Sequence, residues 1–138
     1  MNPALAGLVA ALPDGVVVTD PDILASYRHD RAADPGAGTP MAVVRPSTTE
    51  EVQQVLRWAG AHRIPVVPRG AGSGLSGGAT ALDGGIVLST EKMREITVDP
   101  VTRTAVVQPG LLNAEVKKAV AEHGLWYPPD PSSYEICR

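Results

Sequence analysis

"VVPRGAGSGLSGGA", Val66 to Ala79, carries five glycines between Gly70 and Gly78, out of 14 in 138 residues. Each one costs backbone entropy on folding, so a cluster this dense calls for a reason. Gly72, Gly74 and Gly77 satisfy G-x-G-x-x-G. That pattern marks a dinucleotide site only where a helix opens at the third glycine to hold the pyrophosphate. Here "ATALDGG" follows, too short and too rich in glycine for that helix. A Walker loop needs G-K-[ST], and no lysine lies between Arg69 and Lys92. What remains is a glycine loop without a phosphate helix. Its N–H groups suit an anion-binding nest, with hydroxyl donors from Ser73 and Ser76 and a charge from Arg69. The plain alternative is a tight loop between two strands, since turns are commonly glycine-rich.

Working upstream, "IPVVP" reads as a strand, and before it "PSTTEEVQQVLRWAGAHRIP" is the clearest helix. Ser47 with Glu50, or Thr48 with Glu51, offers a capping box. Val52, Val55, Leu56 and Ala59 form its apolar face, and His62 sits at its end, where a cation suits the dipole. Met41 to Arg45 is a buried strand. Strand, helix and strand from Met41 to Pro68 make a βαβ unit with parallel strands. Further back, "RAADPGAGTP" is a loop, Asp20-Pro21 opens a short helix to about Tyr27, and Val16–Val18 is a short apolar strand or lead-in. Asn2-Pro3 caps a first helix with Leu5, Leu8, Val9 and Leu12 at helical spacing.

Working downstream, "GGIVLST" is a strand, and "REITVD" and "RTAVVQ" are antiparallel strands joined by a short turn. "PGLLNAEVKKAVAEHG" is a second amphipathic helix, capped by Asn113, with Val116, Ala119 and Val120 inward and Gly124 as its stop. The fold class expected is α+β. Residues 1–40 form a helical lead-in, 41–84 the βαβ unit with its glycine loop, and 85–138 the start of a second subdomain.

The composition bounds the function. Net charge is −3, hydrophobic residues make up 43% and aromatic ones 4%, with no Phe. The core must therefore be aliphatic, and no basic stripe suggests nucleic acid. A lone cysteine, Cys137, makes no internal disulfide and suits a reducing compartment, so the expected location is the cytoplasm. The N-terminal apolar run lacks a preceding Lys or Arg, which argues against a signal peptide, and no apolar stretch reaches the roughly 18 residues of a membrane span. His29, His62 and His123 are isolated, so no metal site is expected. Trp58 and Trp126 read as packing residues, and Cys137 as a small buried one.

With "AVVRPSTTEEVQQVLRWAGAHRIPVVPRGAGSGLSGGA", then "VVQPGLLNAEV", then "YPPDPSS" in this order, the chain resembles the FAD-binding PCMH-type fold of the vanillyl-alcohol oxidase superfamily. Within it, the likeness is to the group formed by the flavin-binding chain of glycolate oxidase and by D-lactate dehydrogenase. The resemblance implies that Pro68, Arg69, Gly70, Ala71, Gly72, Ser73, Gly74, Leu75, Ser76, Gly77 and Gly78 wrap the pyrophosphate of FAD. Pro109 and Gly110 would lie along the cofactor. Pro129, Asp130, Ser132 and Ser133 would pack near its adenine and flavin parts. Read alone, Pro109-Gly110 is equally a strand-to-helix turn, "PPDPSS" a rigid loop, and Asp130 a turn cap.

The resemblance further implies oxidation of a small 2-hydroxy acid, of glycolate or D-lactate type, with partner subunits or self-association. Some members attach FAD through a loop histidine; Ser73 stands at that place, and no histidine lies between His62 and His123, so non-covalent FAD is expected. The family's chains are several times longer, and no catalytic residue is assignable between Met1 and Arg138. A non-catalytic truncated remnant and a small flavin- or nucleotide-binding module are the competing readings. By the same resemblance, the strands from Gly85 to Gln108, "GGIVLST" included, would belong to a second sheet completed by later residues.

Overall fold

The computed structural model describes residues 2–138. Asn2 and Asp20 open helices α1 (Pro3–Ala11) and α2 (Pro21–Ser26) in the same way. Each side-chain amide or carboxylate oxygen accepts a first-turn N–H, from Ala4 in one case and from Asp22 and Ile23 in the other. A proline at the first helical position gives up no bond there. Between them β1 (Val17–Val18) is a two-residue strand.

Strand β2 (Ala42–Val44) leads into α3 (Thr49–His62) and then β3 (Val66–Arg69). Of the two capping pairs offered by the sequence, Thr48 with Glu51 forms, and Ser47 joins it. Thr48 Oγ1 accepts from Glu51 N–H at 3.2 Å, while the Glu51 carboxylate reaches past Thr48 to the Ser47 N–H at 2.7 Å. Arg63, in the left-handed region at φ 55°, ends the helix. Val55 and Ala59 face inward, but Leu56 is 49% exposed, so the apolar face is narrower than the pattern suggests.

The two strands of the βαβ unit are parallel but not neighbours. β4 (Ile86–Ser89) lies between them, in the order β1-β2-β4-β3. Val87 stands opposite Val43 on one side and Val67 on the other. The sequence suits this arrangement: β4 is buried at every residue, as a central strand must be. Pro68, which has no N–H, stands in the edge strand β3. The assignment of "GGIVLST" to a second sheet is thereby corrected. Among the described residues the second sheet contains only β5 (Ile96–Asp99) and β6 (Thr104–Val107), paired antiparallel.

The core is aliphatic, as the composition requires. Leu5 and Leu8 of α1, and Leu12 just after it, pack with Val55 of α3 onto Val44, Ile86 and Leu88. The other sheet face carries Val43 and Val87 against Leu24, Ala81 and Tyr27. Trp58 packs on the first cluster and donates its indole N–H to Ala4 O at 2.9 Å. Trp126, in contrast, is 80% exposed, which corrects its reading as a packing residue. Cys137 is only half-buried.

Helix α4 (Asn113–Ala121) begins one residue earlier than a cap at Asn113 would place it. Leu112, extended at ψ 148°, is its N-cap, and Asn113 is the first helical residue. Glu115 takes the capping role, its carboxylate accepting the Leu112 N–H at 2.8 Å. The N–H groups of Asn113 and Ala114, orphaned as first-turn donors are, donate to Cys137 O and Tyr134 O. Gly124, at φ 69°, ends the segment. Among the described residues no helix is long and apolar enough to cross a membrane, and no group of three His, Cys, Asp or Glu side chains is placed to hold a metal.

Candidate functional site

Because β2, β4 and β3 are parallel, their carboxyl ends meet at one edge of the sheet. Arg45 leaves β2, Thr90 and Glu91 leave β4, and the glycine loop leaves β3. Ligands of open α/β sheets sit at such an edge. Gly70 to Gly74, Leu75, Ser76 and Gly78 line a groove of about 390 Å³ there, together with Asp30, Ala79 and Arg138.

The glycines serve two purposes. Gly72 and Gly77 turn the chain at φ 69° and 77°, where a side chain is strained. A Cβ on Gly72 would also fall 2.1 Å from the Arg69 guanidinium. Gly74 and Gly78 are different. A Cβ on Gly78 meets nothing within 4 Å, and one on Gly74 meets only Asp30 Oδ2 at 3.5 Å. The fold alone does not require glycine at those two places, and both line the groove. The backbone N–H groups of residues 71–78 make no hydrogen bond to any described residue. They form a run of donors beside a groove in which four of the lining residues, Gly70, Gly72, Gly74 and Gly78, carry no side chain.

Arg69 does not present its charge to that cleft. Its Nη1 donates to His29 O at 2.8 Å, and its guanidinium lies 5.4 Å from the Tyr27 ring centroid. Next to it, the Tyr27 hydroxyl lies within hydrogen-bond distance of both Glu91 carboxylate oxygens, at 2.9 and 3.0 Å. Arg45 and Arg138 approach the same carboxylate at 3.6 and 3.9 Å. Burial first, and the Glu91 hydrogen bond second, hold the Tyr27 hydroxyl above its ordinary pKa of 10.0, so it stays a donor. Arg45 Nε is buried without a partner among the described residues.

Sequence reasoning missed Asp30. Its side chain is buried under the loop, with Oδ1 accepting from Ala32 N–H at 2.9 Å and Oδ2 from Ala79 N–H at 3.4 Å. No local pattern marks it: Asp20 and Asp34 each precede a proline, as turn and cap residues do, whereas Asp30 precedes Arg31. Tyr27 and Glu91, 64 residues apart, are equally invisible to a reading by short motifs.

Of the other expected site residues, Gly110 is locked in place: a Cβ there would lie 2.2 Å from Thr90 O and 2.5 Å from Met93 O. Thr90 joins this turn to the glycine loop, since its N–H donates to Arg69 O at 3.0 Å and its hydroxyl reaches Pro109 O at 3.4 Å. Pro109 lines an adjoining groove of about 320 Å³ that shares Arg138 with the first. Pro68 and Arg69 lie at the root of the loop and Gly77 at its turn, outside the groove lining. Pro129, Asp130, Ser132 and Ser133 line neither groove. Asp130 pairs with Lys117, and Ser133 O accepts from Ile136 and Cys137 N–H. The "PPDPSS" stretch therefore belongs to the segment that docks onto the start of α4.

A family profile described as an FAD binding domain matches residues 40–138, which include the whole groove except Asp30. The chain belongs to this family. Glycolate oxidase subunit GlcD of Escherichia coli K12 is 48% identical over 99 residues, covering 71% of this chain and 20% of that protein. D-lactate dehydrogenase of Archaeoglobus fulgidus is 43% identical over 111 residues, 78% of this chain and 25% of its own length. The chain thus spans a fifth to a quarter of these relatives. Among solved structures, p-cresol methylhydroxylase with bound substrate matches 90% of this chain and 25% of its own, at a TM-score of 0.76 and 28% identity. The fold of this FAD-binding family member is therefore of PCMH type, with a mixed first sheet and an antiparallel second one.

Proposed function

We propose that Pro68 to Gly78 hold the diphosphate of a non-covalently bound FAD. The chain would be the FAD-binding portion of an oxidoreductase acting on a 2-hydroxy acid of glycolate or D-lactate type. The observation that carries the reading is the run of unpartnered N–H donors at residues 71–78 beside glycines that the fold alone does not require. Such donors, in a loop open to close approach, suit a phosphate anion. Flavin, when bound, supplies the capacity to accept a hydride. This chain's residues supply position and electrostatics: the loop binds, Thr90 fixes the loop to Pro109 and Gly110 along the cofactor, and the Tyr27–Glu91–Arg45 cluster holds the strand ends in register. Pro129, Asp130, Ser132 and Ser133, which line neither groove, are assigned to the adenine and flavin sides of the cofactor on the family resemblance alone. The 2-hydroxy acid, partner subunits and a cytoplasmic location are part of the proposal. They rest on the relatives' names and on the lone cysteine.

The test is titration of the protein with FAD, followed by quenching of flavin fluorescence. Gly78→Val adds a side chain where the protein offers only open space, so its melting temperature is expected to stay near wild type. Its FAD affinity is expected to fall by at least about tenfold, roughly 1.4 kcal/mol. Gly77→Val is expected to lose as much, with added backbone strain. Acid precipitation is expected to leave the yellow colour in the supernatant. Unchanged affinity in a folded Gly78→Val protein sinks the loop assignment; flavin that stays on the precipitate sinks the non-covalent one.

A further inference from the structure

The chain segment from Arg28 to Arg31 runs along the glycine loop and is bonded to it at four separate points. Arg28 O accepts from Ala81 N–H at 2.9 Å, His29 O from Arg69 Nη1 at 2.8 Å, and the Asp30 carboxylate from Ala79 N–H at 3.4 Å. Arg31 N–H donates to Gly74 O at 2.9 Å. The root, middle and exit of the loop are thus each fastened to one short stretch. That stretch is itself held: the Arg28 guanidinium donates to Ala37 O and Gly38 O.

Asp30 is the one side chain of this stretch placed in the wall of the groove, and it is a carboxylate 6% exposed. A negative charge beside an anion site is unfavourable by simple electrostatics. Its hydrogen bonds resolve the conflict. Both oxygens are turned onto backbone N–H groups, Ala32 on its own side and Ala79 on the loop's, which spreads the charge into two backbone dipoles. A glycine-rich loop left free samples many conformations. With Ala79 drawn to Asp30 and Gly74 to Arg31, residues between them are held as a fixed arc.

We infer that Asp30 is a positioning residue: its carboxylate sets the arc of residues 74–79 so that the loop's free N–H groups face a diphosphate before the ligand arrives. The inference rests on the proposed diphosphate site. Preorganisation raises affinity because the ordering cost is met before binding.

The experiment measures FAD dissociation constants for wild type, Asp30→Ala, Asp30→Asn and Gly78→Val in one buffer, with and without sodium formate. Asp30→Ala is expected to weaken FAD by about tenfold or more, the scale of a lost charge-assisted bond. Asp30→Asn keeps the volume and one acceptor oxygen, and is expected to weaken FAD less. Formate fits the space of the deleted carboxylate and is expected to restore part of the affinity of Asp30→Ala while leaving wild type unchanged. A general loss of structure would not respond to formate. If Gly78→Val also leaves FAD binding intact, the loop assignment itself has failed. If Gly78→Val weakens FAD while folded Asp30→Ala and Asp30→Asn bind as wild type or tighter, the role of Asp30 alone is overturned. Failure of both Asp30 variants to fold would equally overturn it, by making Asp30 a residue of the core fold.

Discussion

Gly110 and Gly78 are both glycines of the proposed cofactor face, and a single methyl group separates their roles. At Gly110 a Cβ would lie 2.2 Å from a backbone oxygen at the end of strand β4. Neither side can yield cheaply, so Gly110→Ala is expected to lower stability by about 2–3 kcal/mol, the scale of overpacking. Gly78→Ala meets open space and is expected to stay within about 0.5 kcal/mol. Urea denaturation of the two variants decides this; equal stabilities would mean that the turn at Thr90–Met93 moves freely. The density of glycine made the loop legible in the sequence, because five in nine residues exceeds what a turn needs. Nothing comparable marked Asp30, whose importance lies in what it touches 49 residues away.

The start of α4 shows how far local chemistry carries. Both Asn113 and Glu115 were available to cap it, and the backbone chose Leu112 as the N-cap with Glu115 as its acceptor. The Leu112 N–H, and after it Arg94, hold the Glu115 carboxyl below its ordinary 4.5. A lowered folded value means that this stabilisation is complete above 4.5 and disappears as pH falls through the lower value. Glu115→Gln is therefore expected to melt below wild type at about pH 7, with the gap closing as the Glu115 carboxyl takes up its proton in acid. A gap that persists in acid would assign the difference to packing. Helix ends and the antiparallel β5–β6 pair were legible because caps and short turns act over a few residues. The place of β4 was not, because an apolar run such as Ile86–Leu88 suits the centre of either sheet. Only its fit between β2 and β3 selects one.

At the scale of the molecule, the two sheets are finished to different degrees. The first is covered on both faces by aliphatic clusters. The second is a two-stranded ribbon whose outer strand β6 is exposed along its length, with Val106 77% exposed. Beside it, Val98, Val107, Leu125 and Trp126 line a cavity of about 760 Å³, larger than either groove at the glycine loop. Unpaired strand edges next to apolar surface promote association. Residues 1–138 on their own are expected to sediment as more than a monomer at high concentration, and Val106→Lys to shift them toward monomer. A wild-type chain that stays monomeric throughout would show that the ribbon is tolerated in water.

The insertion of β4 between β2 and β3 also has a consequence in time. The ribosome delivers β2, α3 and β3 before β4, the strand that fills the slot between β2 and β3 in the finished sheet. Neither can satisfy its inner edge until residues 86–89 emerge, and closing the slot joins segments more than 40 residues apart (Val43 with Val87). Such non-local pairing is slow, and the nascent piece carries bare edges while it waits. Premature pairing of β2 directly with β3 would trap a shortened sheet that must reopen to admit its central strand.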